Sequence, residues 1–360
     1  MTASARLNVR RAVLSAVCLV AVLSLCELFL RILKPEVVGT NHQPCIYVPN
    51  QVTGYSYIPG SSDEMQRNFE IDTRVFINSR GFHDIERAPE ETLQARRIAV
   101  IGDSFTASLH VPVSNAWTQV LEKELSQGRK TDVYNLGLDG TGTDVQVAIL
   151  KDQFDRGMTF DVVIVAFYRN DADDVAFGPV SRAVHGPYVI TYQDESQEEK
   201  ILQRIGKSPN RPVAWLYARS YLFRAAMNVI SRNNLLANNF VGPKQVGLQV
   251  RRVYDARARL EKTFGELIAL AQKQSFELLV VPIPDKDDPG ASMGVLMDNL
   301  SPQLAGSLRI LDVKPSFEGL ATGSNLRYKD LFWKRDGHFN VDGNRILALA
   351  LAGMLNNMVK

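Results

Sequence analysis

The sequence predicts an α/β protein with a mostly parallel sheet covered by helices on both faces, preceded by a membrane-spanning N-terminal helix. Three observations predict it. Short apolar runs recur at 97–101, 131–135, 161–167, 277–283 and 308–313. Helical patterns alternate with them at 114–127, 143–156, 252–274 and 342–357. Apolar strands of this kind are buried on both faces, and the helices between them supply the parallel crossovers. The third observation is an apolar stretch from Ala12 to Leu30, about 19 residues and thus close to the roughly 20 that a bilayer core requires.

In chain order, the N-terminal stretch follows Arg6, Arg10 and Arg11, which favours a cytoplasmic N-terminus. Glu27 stands near its far end, where it can reach headgroups. A cleaved signal peptide needs a small-x-small site, and Ser24-Leu25-Cys26 is a poor one. "LSLC" resembles a lipobox, but Leu25 stands where such a site takes Gly, Ala or Ser. The segment is apolar all round, so it predicts an uncleaved anchor rather than an amphipathic core helix. Cys18 and Cys26 lie inside it, which leaves only Cys45 for the rest of the protein. No intradomain disulfide can form there, and no zinc-ligand spacing occurs.

Residues 35–95 are rich in Pro, Gly, Asn and Ser, with β-like pieces such as "NFEIDTRVFINSRGF". They predict a connector with a small irregular or β segment. The full sequence is 45% hydrophobic and 22% charged, which excludes a disordered protein. A formal net charge of +2 without a long basic stripe gives no electrostatic case for nucleic acid. Residues 172–245 break the strand–helix rhythm. They hold a polar stretch, "TYQDESQEEKILQR", and an aromatic helix candidate, "AWLYARSYLFRAAMNVI", and predict a lid-like helical insertion.

The chemistry gathers at strand ends. "RIAVIGDSF" runs from an apolar strand into Gly102-Asp103-Ser104, just before a helix. By itself this is equally a capped turn, because Ser and Asp commonly cap helices. The second strand runs into "NLGLDGTGT" (135–143), whose glycines let the backbone approach a ligand closely. The third ends in Asn170-Asp171, an amide donor beside the same crevice. Ligands of open α/β sheets bind beyond the carboxyl ends of the strands, and converging donors are what an oxyanion needs. A serine there needs a base. His338 stands in "RDGHFN", two residues after Asp336, which can fix its tautomer and leave the other ring nitrogen for Ser104. His83 and His110 are weaker candidates.

These residues resemble the SGNH/GDSL hydrolase superfamily. "GDSF" (102–105), "NLGLDG" (135–140), "RND" (169–171) and "DGH" (336–338) follow the order of that family's four blocks, over roughly residues 96–357. The resemblance implies a flavodoxin-like three-layer α/β/α fold and ester chemistry by a serine nucleophile. It implies Ser104 as nucleophile, His338 as general base and Asp336 as its orienting partner. The implied oxyanion donors are the Ser104 and Gly140 backbone N–H groups and the Asn170 side chain. Gly140 is preferred to Gly137 for its offset from Asn135. Two departures stand out: Tyr168 takes the position of a family glycine, and the last block is Asp-x-His rather than Asp-x-x-His. The shorter spacing is similar to branches that acetylate cell-envelope polysaccharides.

The expected organisation is therefore an anchor (1–34), a connector (35–95) and an SGNH-like domain (96–357). The expected activity is that of a periplasmic serine esterase or O-acyltransferase. It needs no metal or organic cofactor, and acts on an ester or acylated carbohydrate. A non-catalytic glycan-binding or assembly protein on the same scaffold is the alternative. A phosphate or nucleotide binder is disfavoured, because no Gly-rich loop with Lys-Ser/Thr is present.

Overall fold

In a computed structural model the described residues are 3–34, 38, 41–87, 95–185, 188–205, 216, 219–232, 244–247 and 253–358. The helix Ala3–Leu33 comes first. Within its segment Arg10–Leu33 an 18-residue window reaches a mean hydropathy of 2.5, and none of that window is buried. At 1.5 Å per residue the segment is about 36 Å long, enough to cross a bilayer. Glu27 does not simply reach outward as expected. It accepts hydrogen bonds from Ser220 Oγ and from the backbone N–H groups of Tyr221 and Leu222, at 2.8–2.9 Å. A carboxylate at a helix start satisfies donors that have no intrahelical acceptor, so Glu27 caps the helix Tyr221–Arg232.

Five short strands follow: β1 (Asn41–His42), β2 (Tyr47–Asn50), β3 (Gly54–Tyr57), β4 (Ser62–Arg67) and β5 (Ile71–Phe76). Strands β6 (Arg96–Gly102), β7 (Thr131–Asn135) and β8 (Val162–Phe167) begin the main sheet. An excursion carries β9 (Ser181–His185), β10 (Tyr188–Tyr192) and β11 (Lys244–Gly247), and the sheet resumes with β12 (Glu277–Pro282) and β13 (Arg309–Ile310).

The main sheet is parallel throughout, in the spatial order β13-β12-β8-β6-β7. Counting only its own five strands, this is the flavodoxin-type order 2-1-3-4-5. β6 is flanked by β7 on one side and β8 on the other, so the topological switch point lies at its carboxyl end. Alternation along each strand divides the core in two. Ile98, Val100, Val162, Ile164, Leu279 and Val281 face the helices Trp117–Leu125, Lys314–Gly323 and Val341–Met358. Ala99, Ile101, Val163, Val165 and Val280 face the helices Thr143–Asp155 and Ala256–Gln274. This is a three-layer α/β/α arrangement, and it accounts for strands apolar at every position.

The segment after the N-terminal helix is built into the second of these cores. Ile46, Tyr47, Tyr55, Tyr57, Met65, Ile71, Val75 and Ile77 are buried in it. The expected strand 308–313 shortens to Arg309–Ile310, although Leu311 N–H still donates to Val280 O at 2.8 Å. Pro315 then opens the helix Lys314–Gly323, a position that tolerates its missing N–H. The helix expected from 114 starts at Trp117, after a 3-10 turn at Val113–Asn115. The polar stretch of the insertion supplies the helix Glu195–Ile205. Its aromatic candidate yields Tyr221–Arg232, and residues 214, 215, 217 and 218 lie outside the described ones.

Candidate active site

Ser104 is the first residue of the short helix Ser104–Ala107, directly beyond β6. Gly102 is required at the strand end: a Cβ there would lie 2.2 Å from Thr106 Oγ1 and 3.0 Å from Ala166 O. Asp103 is the N-cap. It is fully buried, and its carboxylate accepts from Phe105 N–H at 2.9 Å. Burial pushes the Asp103 carboxyl up, opposed by that N–H and by the field of His338. The turn is thus a capped helix start, and it also presents a hydroxyl at the switch point.

The chain brings three of the sequence candidates together. His338 Nε2 lies 2.8 Å from Ser104 Oγ, and His338 Nδ1 lies 2.5 Å from Asp336 Oδ1. The two-residue spacing closes because Asp336 Oδ1 also accepts the His338 backbone N–H, at 2.9 Å. That loop is braced. Trp333 N–H donates to His338 O, and Lys286 Nζ donates to the carbonyls of Trp333 and Lys334 at 2.7 and 2.8 Å. Burial opposes ionisation of Asp336. The His338 hydrogen bond and the fields of His338 and Arg67 outweigh it and hold the carboxyl far below the usual range.

Asn170 lines the same cleft as Ser104 and His338, a space of about 600 Å³ that also includes Phe105, Tyr168 and Arg169. Its Nδ2 donates to Asp174 Oδ2 at 3.0 Å, and its buried Oδ1 has no partner among the described residues. Asp174 is pushed up to about 7, by burial first and then by Asp103. Gly140 is placed differently. It lies in the loop after β7 at φ +68° and lines an adjoining cavity with Tyr55, Asp174 and Arg182. Its neighbour Asp139 is held by the hydroxyl of Tyr57 at 2.7 Å, that of Tyr47 at 3.0 Å and Arg182 Nη1 at 2.8 Å. The same loop touches the nucleophile region, since Leu138 N–H donates to Gly102 O at 3.1 Å. Tyr168 packs against Phe105 with ring centroids 4.1 Å apart and planes tilted by 37°. Its hydroxyl is tied to Asp285 Oδ2 at 2.5 Å.

Two residues enter the site that sequence reasoning did not place there. His110, a weak candidate, is buried and stacks on the His338 ring with centroids 3.8 Å apart. Burial, and then the field of His338, hold its pKa well below the ordinary value, so it stays neutral. Arg67 Nη1 donates to Asp336 Oδ2 at 2.5 Å. The ligand atoms of His110, Asp336 and His338 lie within 4.8 Å of one another. Those of His338 and Asp336 are already engaged by Ser104, Arg67 and each other, so the group forms a hydrogen-bonded relay rather than an open metal cradle.

No family model and no curated protein matches the chain. Among solved structures it is similar to a member of the lipolytic protein G-D-S-L family from Veillonella parvula, at 13% identity and a TM-score of 0.37. That match covers 73% of this chain and 99% of the other. It is also similar to a psychrotrophic esterase from Pseudoalteromonas sp., at 8% identity and a TM-score of 0.37, covering 73% and 98%. An alpha/beta hydrolase enzyme from the Lake Arreo metagenome matches at 15% identity and a TM-score of 0.39, covering 73% and 98%. Scores this low carry no argument about chemistry. The functional reading rests on the chain's own residues.

Proposed function

We propose that the protein is a membrane-anchored serine esterase or O-acyltransferase of the SGNH/GDSL type. One observation carries this reading. Ser104, His338 and Asp336 form a continuous hydrogen-bonded chain of 2.8 and 2.5 Å, although the serine and the histidine are 234 residues apart. A serine hydroxyl is a weak nucleophile unless a base takes its proton. In this mechanism His338 Nε2 accepts the Ser104 proton as Oγ attacks the ester carbonyl. Asp336 holds the ring in the required tautomer and stabilises the imidazolium that forms. The leaving alcohol takes the proton back from His338. An acyl-Ser104 intermediate remains, which water hydrolyses or a second hydroxyl accepts.

The developing oxyanion takes hydrogen bonds from two donors, the Ser104 N–H and the Asn170 amide, while Gly140, expected as a third, lines the adjoining cavity. The first belongs to a helix start, where N–H groups lack intrahelical acceptors. The second stands in the cleft and must turn from Asp174 toward the substrate. Each donor is worth about 2.7–4 kcal/mol of barrier, by analogy with a measured oxyanion hole.

The rings of Phe105 and Tyr168 crowd the space beside Ser104, which suits a small acyl group such as acetyl. Arg169, Asn170, Asp173 and Asn299 line the rest of the cleft and suit a hydroxyl-rich substrate such as an envelope polysaccharide. The exposed apolar helix supports an anchor with its N-terminus in the cytoplasm and the catalytic domain in the periplasm. Treatment with a fluorophosphonate followed by peptide mapping tests the nucleophile. The adduct is expected on Ser104; an adduct confined to another serine overturns the assignment.

A further inference from the structure

The turn between β4 and β5 touches the His338 loop at two charged points. Asn68 and Phe69 take φ values of +53° and +61°, and Glu70 N–H donates to Arg67 O at 3.0 Å. Asn68, Phe69 and Glu70 form the three-residue loop between the paired Arg67 and Ile71, and the Glu70–Arg67 hydrogen bond closes it tightly. Phe69 has no intrinsic preference for this conformation. Its ring stacks on Tyr221, with centroids 5.8 Å apart and planes 20° apart. The turn projects the side chains of Arg67 and Glu70 to the same side. Arg67 Nη1 meets Asp336 Oδ2 at 2.5 Å, and the Glu70 carboxylate accepts the Arg335 N–H at 2.7 and 2.9 Å. The Asp336 side chain is only 7% exposed and that of Arg67 only 23%, so solvent screens this pair weakly.

We infer that Arg67, carried by the β4–β5 hairpin, is a positioning residue of the active site: it fixes the Asp336 carboxylate and sets how strongly that carboxylate holds a proton on His338. The inference rests on the proposed Ser104–His338–Asp336 mechanism. Asp336 Oδ1 is occupied by the His338 ring and backbone, and Arg67 is the partner of Oδ2. Without Arg67 the carboxylate can rotate about its Cβ–Cγ bond and lose the ring. The charge effect has a definite sign. Among the described residues, the charged and titratable groups around His338 are Asp336, Asp103 across the nucleophile helix, the stacked His110, Arg67 behind Asp336, Lys286 on the carbonyls of the loop and Arg169 in the cleft. Removing the Arg67 guanidinium takes one positive charge from beside Asp336 and leaves the imidazolium better stabilised. The base then stays protonated to higher pH.

The test uses the full-length protein in detergent, with p-nitrophenyl acetate as probe and kcat/KM measured across pH 5–9. Arg67→Met is expected to lower kcat by about 10- to 100-fold, the cost of a misplaced catalytic group, with KM changed less than about twofold. It is also expected to move the acid limb of the profile to higher pH. Arg67→Lys is expected to bring the limb back, because it restores the charge. Should Arg67→Met not be recovered folded, Arg67→Gln against Arg67→Lys carries the same comparison: the neutral variant shifts the limb and the charged one does not. A limb unmoved in the neutral variant, or moved equally by Arg67→Lys, overturns the inference. Ser104→Ala, run in parallel, separates the two claims. Activity retained in Ser104→Ala removes the mechanism itself, whereas an inactive Ser104→Ala beside a wild-type Arg67→Met or Arg67→Gln removes only the role of Arg67.

Discussion

Asp336 meets three donors with two oxygens: the His338 ring and backbone at Oδ1, and Arg67 at Oδ2. An asparagine cannot serve all three. If its oxygen faces Arg67, its amide faces the ring and selects the wrong tautomer. If its oxygen faces the ring, its amide is set against the guanidinium. Asp336→Asn is therefore expected to lower kcat by about 1,000- to 10,000-fold on an acetyl ester, with little change in melting temperature. A loss below tenfold would remove Asp336 from the mechanism. His83 gives a second prediction at this scale. Its Nδ1 lies 2.7 Å from Ala107 O, its Nε2 is buried without a partner among the described residues, and burial holds its pKa down to about 4. The unfolded chain takes up a proton near the ordinary value, so folding loses stability as pH falls from about 6.5 to 4. The loss reaches about 3 kcal/mol. Asp84 and Asp174, raised by burial to about 6 and about 7, act in the opposite direction. The contribution of His83 is isolated by comparing urea midpoints of wild type and His83→Gln at pH 7 and 4.5. Wild type should lose ground to the variant at the lower pH; a constant difference contradicts the account. Ser104, Asp336 and His338 were legible because a strand tip and a polar turn are local signals. Arg67 was not, since nothing in its neighbourhood points to a partner 269 residues away. His110 was not either, because burial by tertiary packing leaves no mark on a loop histidine.

At the scale of elements, the site depends on how closely the nucleophile turn approaches its neighbours. Gly102→Ala places a methyl 2.2 Å from Thr106 Oγ1 and 2.9 Å from Thr106 Cβ, with Ala166 O behind it. Overpacking of this kind costs about 1–3 kcal/mol. The variant is expected to melt several degrees lower and to lose esterase activity as the Ser104 turn shifts. An unchanged melting curve would mean that the turn has more room than these distances allow. The long elements were readable from hydrophobic pattern alone. β6, β8 and β12 are apolar on both faces because helices cover both, and the helices Thr143–Asp155 and Val341–Met358 fall within two residues of the expected bounds. The short helices Ala291–Asp298, Pro302–Ser307 and Lys314–Gly323 were not readable. Each spans too few turns to build a periodic stripe. The position of Gly140 was equally hidden. Its loop is set by Tyr47, Tyr57 and Arg182 gripping Asp139, and these come from two distant segments.

At the scale of the whole molecule, the N-terminal apolar helix is joined to the helix Tyr221–Arg232 by side-chain contacts. Glu27 caps the helix Tyr221–Arg232, and Arg31 stacks on Tyr221 at 4.7 Å. The exposed helix Arg10–Leu33 is expected to keep the protein in the membrane pellet after alkaline carbonate extraction. Protease added to spheroplasts is expected to digest residues beyond 34. Release by carbonate, or digestion only after lysis, would contradict the topology. The switch point beyond β6 unites these scales, because the parallel sheet delivers Ser104 to the crevice where the His338 loop and the hairpin of Arg67 meet. The most direct test of that claim is acetate release from an acetyl ester by the full-length protein and its Ser104→Ala variant. The account predicts turnover by the wild type and loss to background in the variant. Equal turnover by the two would contradict it.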